Sequence, residues 1–145
     1  MENTGGTRKF LIATHGKLAG GVKSSLDLIT GAADNTFLIE AYVDENRSLE
    51  ADIKAVLDQV GDNDELIVFS DIMGGSVTNQ ILQHALQANV HVVSGFNLPL
   101  VIEIILADTD TPAEEVIEEA IENAKQQMVY VNKLLTSQNQ EEAHD

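Results

Sequence analysis

The sequence contains no cysteine. Disulfides, zinc–thiolate centres, iron–sulfur clusters and thiol catalysis are thereby excluded together. There is no tryptophan either, and four phenylalanines and two tyrosines make up the whole aromatic complement. A core therefore has to be built from Leu, Ile, Val and Ala. Bases are scarce: eight Lys and Arg stand against 24 Asp and Glu, a formal net charge of −16. Nucleic acid and anionic membrane surfaces demand a basic face, so no nucleic-acid partner is expected. Long apolar runs are missing as well. The longest lies near Leu98 to Ala107, is interrupted by Glu103 and is too short to span a bilayer. Met1 is followed by a polar stretch without a secretory signal. The expected location is the cytoplasm.

What is present fits one domain. The chain has 145 residues, 43% of them apolar, enough to bury a core without staples. The scarce bases are unevenly spread. Arg8, Lys9, Lys17 and Lys23 fall before Ala33 with only Glu2 and Asp27, whereas Glu103 to Glu122 carries eight acids and no base. Solvated helix faces account for most of this pattern. A functional reading is that the least acidic part surrounds an anion site.

Phe10 to Ala13 is a continuous apolar run, as in a central parallel strand covered on both faces. Leu18, Val22, Leu26 and Ile29 follow at helical spacing. Phe37 to Val43 reads as a second strand. Ser48 caps a helix whose buried face is Leu49, Ile53, Val56, Leu57 and Val60. Leu66 to Phe69 is a third, central strand, and a helix with Val77, Ile81, Leu82 and Ala85 follows it. Val90 to Val93 is a fourth strand. Pro99 opens a short apolar helix. Thr111 as N-cap and Pro112 open another, with Ala113, Val116, Ile117, Ala120, Ile121 and Ala124 buried. Met128 to Leu134 has strand propensity, yet Met128, Val131 and Leu135 also continue the preceding helical stripe.

Strands alternating with helices predict an α/β domain with an open, doubly wound, mainly parallel sheet in the flavodoxin-like order 2-1-3-4. Ligands of such sheets bind beyond the carboxyl ends of the strands, where strand order reverses. The reversal lies between strands 1 and 3. His15 ends the first and Asp71 ends the third. Alone, His15 reads as a solvated loop histidine and Asp71 as a turn aspartate. On one rim, Asp71 can accept the proton of one ring nitrogen and leave the other nucleophilic. Gly16 and Gly74-Gly75-Ser76 open two helices beside them. Helix N-termini suit phosphate, and glycines permit its close approach. Neither His84, His91 nor His144 has metal-ligand spacing to another histidine. No metal site is expected.

Three stretches then resemble one family. They are Ile12-Ala-Thr-His15-Gly16, Phe69-Ser-Asp71-Ile-Met-Gly74-Gly75-Ser76-Val-Thr-Asn79 and Ser94-Gly95-Phe-Asn97-Leu-Pro99. In this order they are similar to the IIA component of the mannose-type family of the bacterial phosphoenolpyruvate-dependent sugar phosphotransferase system. The resemblance covers residues 9–135. It implies a phosphocarrier in which His15 takes a phosphoryl group from phospho-HPr and passes it to a histidine of the IIB component, with the membrane IIC and IID components downstream. It implies Asp71 as the orienting residue, Gly16, Gly74, Gly75 and Ser76 as phosphate-side neighbours, and Thr14 and Asn97 on the rim. No cofactor is implied. The family commonly has proline where Val77 stands, and Val77 adds an N–H donor. The resemblance also implies a homodimer that exchanges a strand near Met128 to Leu134. From the polar composition of the two ends, residues 1–8 are expected to be a flexible tail and 136–145 a disordered polar one.

Other readings stay open at this stage. A phosphoryl carrier of a dihydroxyacetone kinase has a similar fold and histidine. A flavodoxin-like cofactor module would want aromatic walls that this sequence hardly has. A chelatase would need further ligands. A phosphoglycerate mutase is excluded because Thr14 stands where its motif needs arginine, and a receiver domain lacks its acids at the end of the first strand. The sugar is not legible.

Overall fold

The computed structural model describes residues 6–86 and 89–144. Its elements in chain order are β1 (Arg8–His15), α1 (Leu18–Ile29), β2 (Thr36–Ala41), α2 (Leu49–Leu57), β3 (Glu65–Ser70), α3 (Ser76–Ala85), β4 (Val90–Ser94), α4 (Leu98–Leu106), α5 (Ala113–Lys125) and α6 (Val131–His144). The four strands form one parallel sheet in the order β2-β1-β3-β4. This is the expected doubly wound arrangement.

The core explains why the strands read as unbroken apolar runs. On one face Phe10, Ile12, Ile67, Phe69 and Val93 pack against α1, α4 and α5. On the other, Leu11, Ala13, Ile39, Leu66 and Val68 pack against α2 and α3. Alternate residues of β1 and β3 thus face opposite layers, and both layers are apolar. The scarce aromatics are concentrated: the Phe10 and Phe69 rings stack 6.3 Å apart, and Phe96 meets Phe69 edge-on at 6.4 Å.

Register sets the functional rim. His15 pairs with Ala41, and Ala13 pairs with Ser70. The residues that follow these strand ends, Tyr42 and Asp71, therefore flank His15 from either side.

Several expectations need correction. Arg8 is no part of a flexible tail: it begins β1 with its side chain buried, bonded to Glu65 and to the carbonyl of Thr111. Thr7 donates to Asp64, while residues 1–5 lie outside the described residues. In α1 the buried residues are Ala19, Val22 and Leu26, and Leu18 and Ile29 are exposed. The helix is turned so that its small residue meets the sheet. Pro112, not Thr111, holds the N-cap position of α5. The strand expected over Met128 to Leu134 does not form in the single chain. Met128 to Tyr130 is irregular and Val131 begins α6, which runs to His144, across most of the supposed disordered tail. Met128 to Tyr130 pairs with no strand among the described residues, and the Lys, Leu, Gln, Glu and Ala beyond it favour helix.

Candidate functional site

His15 is the last residue of β1 and its side chain is 40% exposed, so it stands on an open rim. Gly16 follows with φ +63°, a left-handed turn that glycine adopts without a Cβ penalty, and turns the chain towards α1. Asp71 reaches across from the end of β3. One of its oxygens, Oδ2, accepts both the backbone N–H of His15 at 2.8 Å and the proton of its ring Nδ1 at 2.9 Å. Its other oxygen accepts the N–H of Ile72 at 3.0 Å.

The Asp71 side chain is 9% exposed. Burial pushes its carboxyl up, but the N–H of His15, the ring hydrogen bond and the attraction of the imidazole outweigh burial and hold it below the usual carboxylate range. Asp71 is therefore ionised at neutral pH and can only accept. In neutral His15 the proton must sit on Nδ1, and the lone pair is on Nε2.

The start of α3 lies on the Nε2 side. Its N-cap is Gly75. A Cβ there would meet the His15 Cε1 at 3.5 Å and the Ile72 carbonyl oxygen at 3.3 Å, so the imidazole and the loop pack closely against bare backbone. Ser76 Oγ lies 3.4 Å from Nε2, a long contact that leaves the lone pair approachable. The first N–H groups of α3 have no intrahelical acceptor and carry the positive end of the helix dipole. Thr78 locks this arrangement from beneath: its buried hydroxyl is 2.7 Å from both the Ile72 carbonyl and Ser70 Oγ.

Other expected site residues have different tasks. Gly16 gives its N–H to the Ala41 carbonyl. Thr14 is fully buried, and its hydroxyl accepts the N–H of Ala19. Glu40 accepts that of Gly20. Two of the first N–H groups of α1 are thus taken by its neighbouring strands, whereas the start of α3 lies beside the His15 ring. Asn97 caps α4, accepting from Leu100 and donating to the Ala124 carbonyl. Both ends of its amide are engaged in joining α4 to α5. Gly74 makes the turn before α3 with φ +80°. Three of the N-terminal bases are engaged away from His15, in the pairs Arg8–Glu65, Lys9–Asp64 and Lys23–Asp27. The charge asymmetry of the sequence does not gather them at the site. Among the described residues no group of three His, Cys, Asp or Glu is placed to hold a metal ion, and no helix is long and apolar enough to cross a membrane.

Sequence reasoning missed Tyr42. Its ring lies 5.7 Å from that of His15 at an angle of 49°, and its hydroxyl is 2.8 Å from Ser76 Oγ. The signal was present: Tyr42 directly follows β2, and β2 flanks β1 in the order 2-1-3-4. Tyr42 is exposed, and so are Val43 beside it and Ile72 and Met73, which follow Asp71 in the chain. An open histidine on a rim with exposed apolar side chains suits a protein partner better than an enclosed small molecule.

Comparison with known proteins agrees with this geometry. Residues 9–121 match the family model of the phosphotransferase system fructose IIA component. A candidate phosphoenolpyruvate-dependent sugar phosphotransferase system permease from Klebsiella pneumoniae is 33% identical, covers 93% of this chain and 98% of its own, and superposes with a TM-score of 0.85. A phosphotransferase system IIA protein associated with the fucose utilization operon of Streptococcus pneumoniae is 27% identical over 90% of this chain and 97% of its own, with a TM-score of 0.73. The mannose/sorbose-specific IIA subunit from Enterococcus faecalis, at 20% identity over 85% and 93% with a TM-score of 0.73, shares the fold. No curated protein matches the chain.

Proposed function

The chain belongs to the mannose/fructose-type IIA family of the sugar phosphotransferase system, and from that premise we propose that His15 is its phosphorylated residue, loaded by phospho-HPr and unloaded by a IIB component. The observation that carries the reading is the held imidazole. Asp71 accepts the hydrogen bond of Nδ1–H, and Nε2 lies beside the first turn of α3.

The transfer balances without a cofactor. The P–N bond of the donor phosphohistidine breaks, and its electron pair stays on the donor imidazole. A bond forms from phosphorus to Nε2 of His15, while the proton stays on Nδ1, hydrogen-bonded to Asp71. As Nε2 gives up its lone pair the ring becomes cationic, and the Asp71 carboxylate stabilises that charge. The N–H groups of α3 and the Ser76 hydroxyl meet the phosphoryl oxygens. Transfer to IIB reverses these steps. Val43, Ile72 and Met73, exposed next to Tyr42 and Asp71 in the chain, supply contact surface for both partners in turn.

A homodimer belongs to the same proposal. β4 is an edge of the sheet, and beside it a cleft is lined by Val93, Gly95, Ile121 and Met128. The exposed apolar segment from Met128 to Leu135 adjoins that cleft. A second copy covers both.

Intact mass tests the central claim. After incubation with phosphoenolpyruvate, enzyme I and HPr, the wild type gains one acid-labile phosphoryl group and His15→Ala gains none. A folded wild type that stays unmodified overturns the reading.

A further inference from the structure

We infer that Tyr42 is a positioning residue for the phosphoryl transfer proposed above, acting by holding the Ser76 hydroxyl against Nε2 of His15. The inference rests on that reading of His15. Three observations meet at this residue. Tyr42 has φ +69°, and among the described residues no other non-glycine residue has a positive φ. A bulky side chain avoids the left-handed region unless its surroundings demand it. This turn lies one residue beyond Ala41, the register partner of His15. Second, the phenol ring is tilted against the imidazole, with centroids 5.7 Å apart. Third, the hydroxyl is 2.8 Å from Ser76 Oγ, which is 3.4 Å from Nε2.

The chemistry of these groups orders the chain of hydrogen bonds. Nε2 of neutral His15 is an acceptor, because the ionised Asp71 keeps the ring proton on Nδ1 by accepting its hydrogen bond. The Ser76 hydroxyl therefore donates towards Nε2, and its lone pair accepts from the Tyr42 hydroxyl. When phosphorus bonds to Nε2, the same Ser76 proton turns to a phosphoryl oxygen, and Tyr42 still holds the serine oxygen from behind. Neither residue gains or loses a proton in the transfer. Without the phenol hydroxyl, Ser76 is free to rotate to solvent, and the donor has to be oriented at each turnover.

Single-turnover transfer from phospho-HPr is measured for the wild type, Tyr42→Phe, Ser76→Ala and the double variant. The loss of one neutral hydrogen bond predicts a rate about fivefold lower for Tyr42→Phe at saturating donor, with KM for the donor unchanged. Ser76→Ala is slowed at least as much. Tyr42→Phe costs nothing further in the Ser76→Ala background, because Tyr42 acts through that hydroxyl. Nitrogen-15 NMR of the unphosphorylated protein gives a second readout: Tyr42→Phe shifts the Nε2 signal and leaves Nδ1 in place. Wild-type rate and Nε2 shift in Tyr42→Phe overturn the role of Tyr42 alone. So do rate losses that multiply in the double variant, or a change confined to KM, which would make Tyr42 a docking contact. A wild type that accepts no phosphoryl group overturns the phosphocarrier reading, and the role of Tyr42 falls with it.

Discussion

One carboxylate oxygen, Oδ2 of Asp71, holds both the backbone and the ring of His15. Asp71→Asn is isosteric but offers only one acceptor oxygen, and if the amide nitrogen faces Nδ1 the ring must reverse its tautomer. The expected outcome is a folded protein whose phosphoryl transfer is slower by at least about 10- to 100-fold, the loss caused by removing the carboxylate behind a metal-bound histidine. Rapid-quench kinetics checks it, and an unchanged rate removes Asp71 from the mechanism. The same contact gives a pH dependence. Folding holds the Asp71 carboxyl below its ordinary range, and Asp64 likewise, through the N–H groups of Thr7 and Gly61 and the side chain of Lys9. A lowered folded-state value means stabilisation that is complete above the unfolded carboxyl pKa of about 3.9 and is lost as pH falls through the folded values. Thermal midpoints measured from pH 6 to pH 2 should fall mainly below about pH 4. In Asp64→Asn the fall should be shallower.

This scale was only partly legible in the sequence. His15 and Asp71 could be paired because both end central strands. Thr78 and Glu40 could not, because their roles depend on which polar groups of a neighbouring helix need partners; Tyr42 is placed beside His15 by the order 2-1-3-4, but its bond to Ser76 depends on the turn it makes. Thr14 and Asn97 were placed on the rim by resemblance. The structure gives their polar atoms to α1, α4 and α5.

At the scale of elements, β1 carries the most weight, since both apolar layers and the functional rim depend on it. Ile12 is fully buried between β2 and β3 in the α1/α5 layer. Ile12→Ala should lower the free energy of unfolding by about 2–5 kcal/mol in urea titration. Ser48→Ala should cost about 1 kcal/mol, because the serine oxygen accepts the N–H of Ala51 in the first turn of α2. A cost under a few tenths would mean that water replaces the cap. The caps show where local reading succeeds. Ser48 has acids in the first turn and a clear apolar face after it, so one sequence window contains the whole signal. The start of α1 has no such window: Thr14 caps from inside β1 and Glu40 from a strand distant in sequence. The last element failed for a different reason. Met128 to Leu134 carries both strand propensity and helical spacing, and tertiary context decides between them.

For the whole molecule, the decisive surface is the one left apolar in a chain of charge −16. Met128, which lines a cleft with residues of β4 at its open edge, and Tyr130 and Leu135 after it are each more than half exposed. Exposed strand edges are normally covered. Light scattering should give the mass of two chains for the wild type, and Val129→Asp should shift the population towards one chain. A wild-type monomer at working concentration would exclude the dimer and leave the segment for another partner.

The double grip of Asp71 on His15 bears on throughput. An imidazole already fixed in tautomer and orientation has little left to rearrange when a partner arrives. Under the proposed role the chemical step is then short compared with finding and leaving each partner. Flux through the carrier follows the abundance of donor and acceptor proteins and the lifetime of their encounters. A carrier of this kind behaves as a relay contact whose traffic is governed by the proteins on either side of it.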